Sequence, residues 1–199
     1  MGAAAARAGL LALAARLLRA GRTSGAVLTT SDLLAQSIET SGFRERSSRR
    51  RRPDLWRTLR WLLVGLTLDG PYWDSGFRLV DRLFGARESW AALLQKTAFT
   101  QLVLNPPFIL LLILYTQLLE GPRTAAALRA AVRAKLWPYL RDGFCFWTAA
   151  NSANYLLMPP QRRLLFSGVV GSTWATYLSW VTKRLDDAAR AEATKTAED

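Results

Sequence analysis

Six polar side chains stand within or beside long apolar runs of this sequence: Asp69, Asp74, Arg78, Asn105, Asn151 and Asn154. An unpaired polar group in hydrocarbon is costly, so an ionisable residue at that depth signals a solute path, a proton relay or a buried ion pair. Asparagines there can instead join helices through hydrogen bonds of about 1 kcal/mol, and for these three both roles stay open. Asp69 and Asp74 share a predicted helix with Arg78, which suits a water-lined groove as well as a static pair. Asp81 has Arg78 and Arg82 as near neighbours and potential partners. Arg141, Arg162 and Arg163 are candidates for a basic mouth that would draw anions toward such a path.

Other chemistry has little to stand on. The chain has no histidine and one cysteine, which removes Ser-His and Cys-His catalysis, histidine-containing zinc sites and intrachain disulfides. Cys145 lies between Phe144 and Phe146 in an apolar run, where a thiol stays protonated and inert. No glycine-rich phosphate cradle appears. The expectation is a protein that is not an enzyme and binds no cofactor or metal.

The elements that would position these residues follow from the charge pattern. Half of the 199 residues are hydrophobic, yet the formal net charge is +12, so apolar and basic residues must be segregated along one domain with flanking segments. Uncharged runs cover Thr97 to Leu119, Gly143 to Gln161 and Leu164 to Thr182, each about long enough to cross ~30 Å of hydrocarbon as a helix. Leu59 to Leu83 starts as apolar but carries Asp69, Asp74, Arg78 and Asp81, so it spans only if those groups face protein or water. Trp56, Trp61, Trp137, Tyr139 and Trp180 sit near the ends of these runs, where amphipathic rings favour the headgroup region. A soluble helical protein with a very apolar core is the alternative.

Residues 1–25 carry four arginines and no acid, the composition of a mitochondrial targeting helix, against the plainer alternative of an Ala-rich tail. The bundle should occupy 26–182. Within it, 41–57 reads as a basic loop, facing anionic headgroups rather than nucleic acid. Residues 123–135 read as a separate interfacial helix. Pro159-Pro160 should break the helix, and 183–199 should be a charged tail. The predicted fold is therefore an all-α membrane bundle of about four helices, or five if the last two runs cross separately, with an amphipathic N-terminal helix. Its expected partners are the bilayer and small solutes, with self-association left open.

The chain also resembles the family of small membrane proteins that includes Mpv-seventeen of mitochondria and the 22-kDa peroxisomal membrane protein. The resemblance runs from about Ser31 to Ser179. It is carried by Asp32 and Gln36, Gly70-Pro71, Asp81-Arg82, Gln101, Pro106, Trp137-Pro138, Trp147, Asn154, Pro159, Arg163 and the closing Trp174-x-x-Tyr177. Departures fall on polar positions: Asp74 where the family usually has histidine, Thr100-Gln101 for Asp-Gln, Gly143-Phe144 for Asn-Trp, and Asn151 for a glutamine. The resemblance implies about four membrane helices in the mitochondrial inner or the peroxisomal membrane. It also implies a weakly selective channel for ions or small metabolites, linked to mitochondrial nucleotide supply and DNA maintenance. The rival is a non-conducting scaffold that binds an assembly partner through its basic loops.

Overall fold

A computed structural model describes residues 2–42, 53–85 and 89–174, all as helices and short connections with no strand among them. The first element is a helix of 41 residues, Gly2–Gly42 (α1). Leu55–Val64 (α2), a π-helical turn at Gly65–Asp69 (π1) and Gly70–Phe84 (α3) form one rod. Trp90–Phe99 (α4), a second π turn at Thr100–Leu104 (π2) and Asn105–Glu120 (α5) form the next. Ala125–Leu157 (α6) and a helix over 163–174 (α7) follow.

Local chemistry explains where these rods start and stop. Asp54, Ser89 and Thr124 cap α2, α4 and α6 by accepting a hydrogen bond from the backbone N–H three residues on. Gly85, at φ 68°, ends α3 in a conformation that favours glycine. Pro159 is extended and starts the short turn Pro160–Arg162, so the predicted break is present. Inside a helix, a proline lacks the N–H and its ring collides with the carbonyl four residues back. For Pro71 and Pro106 that carbonyl belongs to Thr67 and Leu102, and both lie within a π turn whose wider loop makes room for the ring. The two rods therefore continue through their prolines.

Two expected boundaries are absent. The division at 25/26 falls inside the unbroken α1, and residues 16–25 pack into the bundle, with Ala20, Gly21, Ser24 and Gly25 buried. The separate interfacial helix at 123–135 is instead the first part of α6, which runs on through Pro138 to Leu157. Of the basic loop, residues 43–52 lie outside the described residues, as do Tyr177, Trp180 and the tail 183–199.

The rods close into a ring. The glycines Gly21 and Gly25 of α1 cross Gly65 and Gly70 of the second rod, and a Cβ on Gly21 would collide with the carbonyl of Leu66. Gly65 and Gly70 are five apart, and the π turn between them puts both on the α1-facing side. Ser24 donates a hydrogen bond to Asp69 in the same crossing. The second and third rods pack as α3 on α4 and α2 on α5, and α6 packs along α4 and α5. Trp147 of α6 lies against Gly171, and Phe146 stacks on Trp174 at 4.7 Å. Val27 meets Gly168 and Ser31 bonds Ser172, which returns α7 to α1.

The distribution of polarity is inverted relative to a water-soluble bundle. Asp32, Gln36, Thr58, Lys96, Thr97, Thr100, Gln101, Asn105, Asn151, Asn154 and Arg163 are buried, whereas Leu10, Leu18, Leu34, Leu94, Leu102, Leu111, Leu156 and Val169 are among the exposed apolar residues. On α1 it is the small and polar stripe that faces protein and the leucines that face out. A leucine surface over a polar interior belongs in lipid. Among the described residues, Trp90–Glu120 is the one helix long and apolar enough to cross a membrane by composition. α1, the α2–α3 rod and α6 have the length but carry more charge.

The glycine crossing gives a direct prediction. Gly21→Val should destabilise the bundle by about 1–3 kcal/mol in an equilibrium unfolding titration in mixed micelles. Gly9→Val should have little effect, because nothing lies within 4 Å of a Cβ there.

Candidate functional site

Two ionic layers bracket the bundle. Along the α2–α3 rod, Arg60 and Asp81 are 21 residues apart, about 31 Å at 1.5 Å per residue, the thickness of a hydrocarbon core. The layer near Arg60 also holds the start of α2, the end of α5 and the first part of α6. The layer near Asp81 holds the start of α4 and the connection from α6 to α7.

At the Arg60 end, Asp32 and Gln36 of α1 clasp the start of α2. Thr58 donates to Asp32 Oδ2 at 2.6 Å and Gln36 Nε2 donates to the same atom at 2.7 Å. Arg57 Nε stands 2.7 Å from Asp32 Oδ1. Gln36 Oε1 accepts from the backbone N–H of Asp54 at 2.6 Å. The Asp-x-x-x-Gln spacing thus puts both side chains on one face of α1, where they hold the N-terminus of the next rod.

At the other end, Asp81 is the centre of a cation clamp. Both its oxygens accept from Arg163 Nη1 at 2.6 Å, and Oδ1 also accepts from Lys96 Nζ at 3.2 Å. The Tyr155 ring lies 5.0 Å from the Arg163 guanidinium and 5.9 Å from the Lys96 ammonium, so its π face adds to the stabilisation of both cations. Thr100 bonds the Tyr155 hydroxyl at 2.6 Å. Asn154 donates to the Arg163 carbonyl at 3.3 Å and to Ser167 Oγ at 2.9 Å. Arg78 and Arg82, the neighbours expected to pair with Asp81, do not do so: Arg78 bonds Asp74 instead.

Beside the clamp opens a cavity of about 670 Å³ between α1, α3 and the start of α7. Arg16, Arg19, Arg78 and Arg82 line it against Asp74 and Asp81, with Phe77, Leu164 and Leu165 as its apolar wall. Asp74 is shared by Arg16 at 3.1 Å and Arg78 at 3.2 Å. Arg19 and Arg82 are exposed and have no carboxylate partner among the described residues. The walls therefore carry an excess of positive charge in a concave, partly apolar space, which favours anions. Asp74 lies 14 residues, about 21 Å, from Arg60 along its rod, so the cavity reaches below the Asp81 layer.

Small polar groups continue inward from it. Asn154 meets Ser167, and Ser31 meets Ser172 nearer the Arg60 end. One buried atom in this part of the bundle, Asn154 Oδ1, has no hydrogen-bond partner among the described residues.

The structure sorts the six intramembrane candidates into three groups. Asp74 and Arg78 line the cavity as an ion pair, which combines the two roles left open for them. Asp69 sits in the α1 crossing on Ser24 and does not line it. Asn151 donates to Gln101 at 3.4 Å, Asn154 joins α6 to α7, and Asn105 is buried at the start of α5. Gln101 in turn donates to the Phe144 carbonyl and Thr148, which locks π2 to α6. Arg141, Arg162 and Arg163 do not form one mouth. Arg163 is buried in the clamp, Arg141 is exposed and paired with Asp142 at 2.8 Å, and Arg162 is exposed in the turn after α6. Arg141 and the end of α6 at Leu157 are 16 residues, about 24 Å, apart. Composition assigned Arg16 and Arg19 to targeting, and only the packing of α1 on α3 makes them cavity residues. Lys96 and Tyr155 were also missed, although a lysine that begins an uncharged run was a usable signal.

Trp147 wedges between Gly143 and Gly171, whereas Trp137 beside Pro138 is 69% exposed at the Arg60 end, as an interfacial ring should be. Cys145 is exposed. Among the described residues no group of three His, Cys, Asp or Glu side chains is placed to hold a metal ion.

The clamp orders the expected effects of mutation. Asp81→Asn leaves two buried cations facing each other and should cost most, on the order of 3 kcal/mol, with Arg163→Gln next and Lys96→Met least. A double-mutant cycle on Asp81 and Arg163, read by unfolding in micelles, should give a coupling above about 1 kcal/mol.

Comparison with known proteins gives the same grouping as the motif residues. The sequence model of the Mpv17 / PMP22 family matches residues 117–179. Peroxisomal membrane protein 2 of Bos taurus is 30% identical over 167 residues, covering 84% of this chain and 83% of that protein. Protein SYM1 of Mycosarcoma maydis is 31% identical over 158 residues, covering 79% and 75%. Protein SYM1 of Gibberella zeae is 30% identical over 175 residues, covering 86% and 94%. No solved structure matches. With its clasp, its clamp and its leucine surface, the chain is a membrane protein that belongs to the Mpv17 / PMP22 family.

Proposed function

We propose that this protein is a weakly selective channel or transporter for small solutes, with the arginine-lined cavity as its vestibule and anions as the preferred class. One observation carries the reading: four arginines converge on a space of about 670 Å³ inside a bundle whose outer surface is leucine. In such a low-dielectric frame an unbalanced positive wall raises the local concentration of anions. The inward polar groups and the orphaned atom Asn154 Oδ1 are what a wetted path through the bundle would have. Four or five of the rods cross the membrane in this reading. No catalytic role is assigned to any residue.

The proposed compartment is the mitochondrial inner membrane, on the strength of the arginine-bearing, acid-free N-terminus and the family resemblance. The peroxisomal membrane is the alternative, and the bovine relative's name favours it. A non-conducting scaffold is the second reading of the molecule, favoured by the complete pairing of Asp74 between Arg16 and Arg78.

Planar-bilayer recording of the purified protein tests the proposal. Arg19 and Arg82 line the vestibule without taking part in an ion pair among the described residues, so Arg19→Glu with Arg82→Glu leaves the packing in place. The pair should lower the anion-to-cation permeability ratio several-fold, read from the reversal potential in a salt gradient. An unchanged ratio in a folded variant removes the vestibule from the path, and silence from folded wild-type protein supports the scaffold. A reporter fused to residues 1–30 should accumulate in mitochondria; a peroxisomal or diffuse signal counts against the compartment.

A further inference from the structure

A second, smaller cavity of about 120 Å³ lies at the opposite end of the bundle, between α2, α5 and α6. Trp61, Leu112 and Ile113 form its apolar floor, and Thr116, Glu120, Lys135 and Tyr139 form its rim. Lys135 and Tyr139 are four residues apart and share one face of α6. Ala131, one turn earlier on that face, is buried, so the face passes from the bundle interior to an exposed rim. The Glu120 carboxylate is already matched by Arg60, with Nε at 3.2 Å. Lys135 is exposed and has no carboxylate partner among the described residues. One cation on the rim is therefore left over above an uncharged, ring-lined floor.

The location supplies the occupant. The rim lies in the Arg60 layer, where Trp56 and Trp137 are more than half exposed, as rings at a headgroup boundary are. Phosphodiester oxygens stand at that depth with acyl chains directly below them. The described residues of this end also carry Arg57, Arg123, Arg129 and Arg133, so the surface favours an anionic lipid over a zwitterionic one. A phenol is protonated near neutral pH, so the Tyr139 hydroxyl is available as a donor.

We propose that this cavity is a specific site for one anionic glycerophospholipid, whose phosphate is held by the Lys135 ammonium and the Tyr139 hydroxyl while the first part of an acyl chain covers Trp61, Leu112 and Ile113. The site rests on membrane insertion alone and is independent of conduction through the vestibule. It differs from general attraction between a basic surface and an anionic membrane, which any of the nearby arginines would supply equally.

That difference is the test. Full-length protein, purified in a neutral detergent, is titrated with phosphatidylglycerol or phosphatidylcholine and examined by native mass spectrometry. The wild type should retain one phosphatidylglycerol at concentrations where phosphatidylcholine is released. Lys135→Ala should weaken that retention at least fivefold and Tyr139→Phe by a smaller factor. Arg133→Ala, an equally exposed cation on the same helix that does not line the cavity, should leave it unchanged. Equal losses in Lys135→Ala and Arg133→Ala, or equal retention of the two lipids by the wild type, would overturn the site in favour of diffuse electrostatics. Conductance of Lys135→Ala is expected to remain that of the wild type, which separates failure here from failure of the vestibule.

Discussion

The carboxylate of Asp81 is the point on which the Asp81 end of the bundle depends. It sits on α3, its partners Lys96 and Arg163 belong to the last turn of α4 and the start of α7, and the Tyr155 ring that supports both cations belongs to α6. Four elements thus meet on one anion. Nonspecific apolar contact cannot do this in lipid, because hydrocarbon solvates leucine as well as protein does. Directional pairing of charges, each costly to leave alone, selects one arrangement of the rods. Two cations on one carboxylate also leave the neighbourhood net positive, so the same interaction that fixes the helices biases the adjoining cavity toward anions.

The crossing of α1 on π1 is the complementary constraint. There Ala20, Gly21 and Gly25 meet Gly65 and Gly70 with no room for a larger side chain. Close approach replaces the missing hydrophobic force by dense van der Waals contact, and the Ser24 to Asp69 bond adds direction. The approach carries Arg16 to Asp74 and Arg19 to the rim of the cavity. A helix whose composition suits targeting is thereby a wall of the proposed vestibule, and nothing prevents one segment from serving both ends.

Proline, glycine and the π turns act together in both middle rods. Pro71 and Pro106 would break an ordinary helix, yet each rod continues because the preceding turn widens. The extra residue also rotates the helix face, so that Gly65 and Gly70 point the same way and Gln101 reaches Asn151 and Phe144. A local relief of strain becomes the device that registers one rod against the next.

The sequence by itself determined the class and the punctuation: helices, a lipid-facing surface, the break at Pro159-Pro160, and the family motif from Asp32 to Arg163. These are local properties, set by charge spacing, hydropathy and the geometry of proline, and they survive without knowledge of neighbours. Tertiary structure alone decided which charges meet. Asp81 chose Arg163, 82 residues away, over Arg78 at one turn, because a side chain buried among converging helices answers to distance in space. For the same reason Arg163 moved from a predicted mouth to a buried clamp, Arg141 went to the surface with Asp142, and Arg16 and Arg19 came from the N-terminal segment to line the cavity. Pairing across rods depends on how closely helices approach and how they are rotated. In this bundle glycine crossings and π turns set both, and neither leaves a periodic signal in composition.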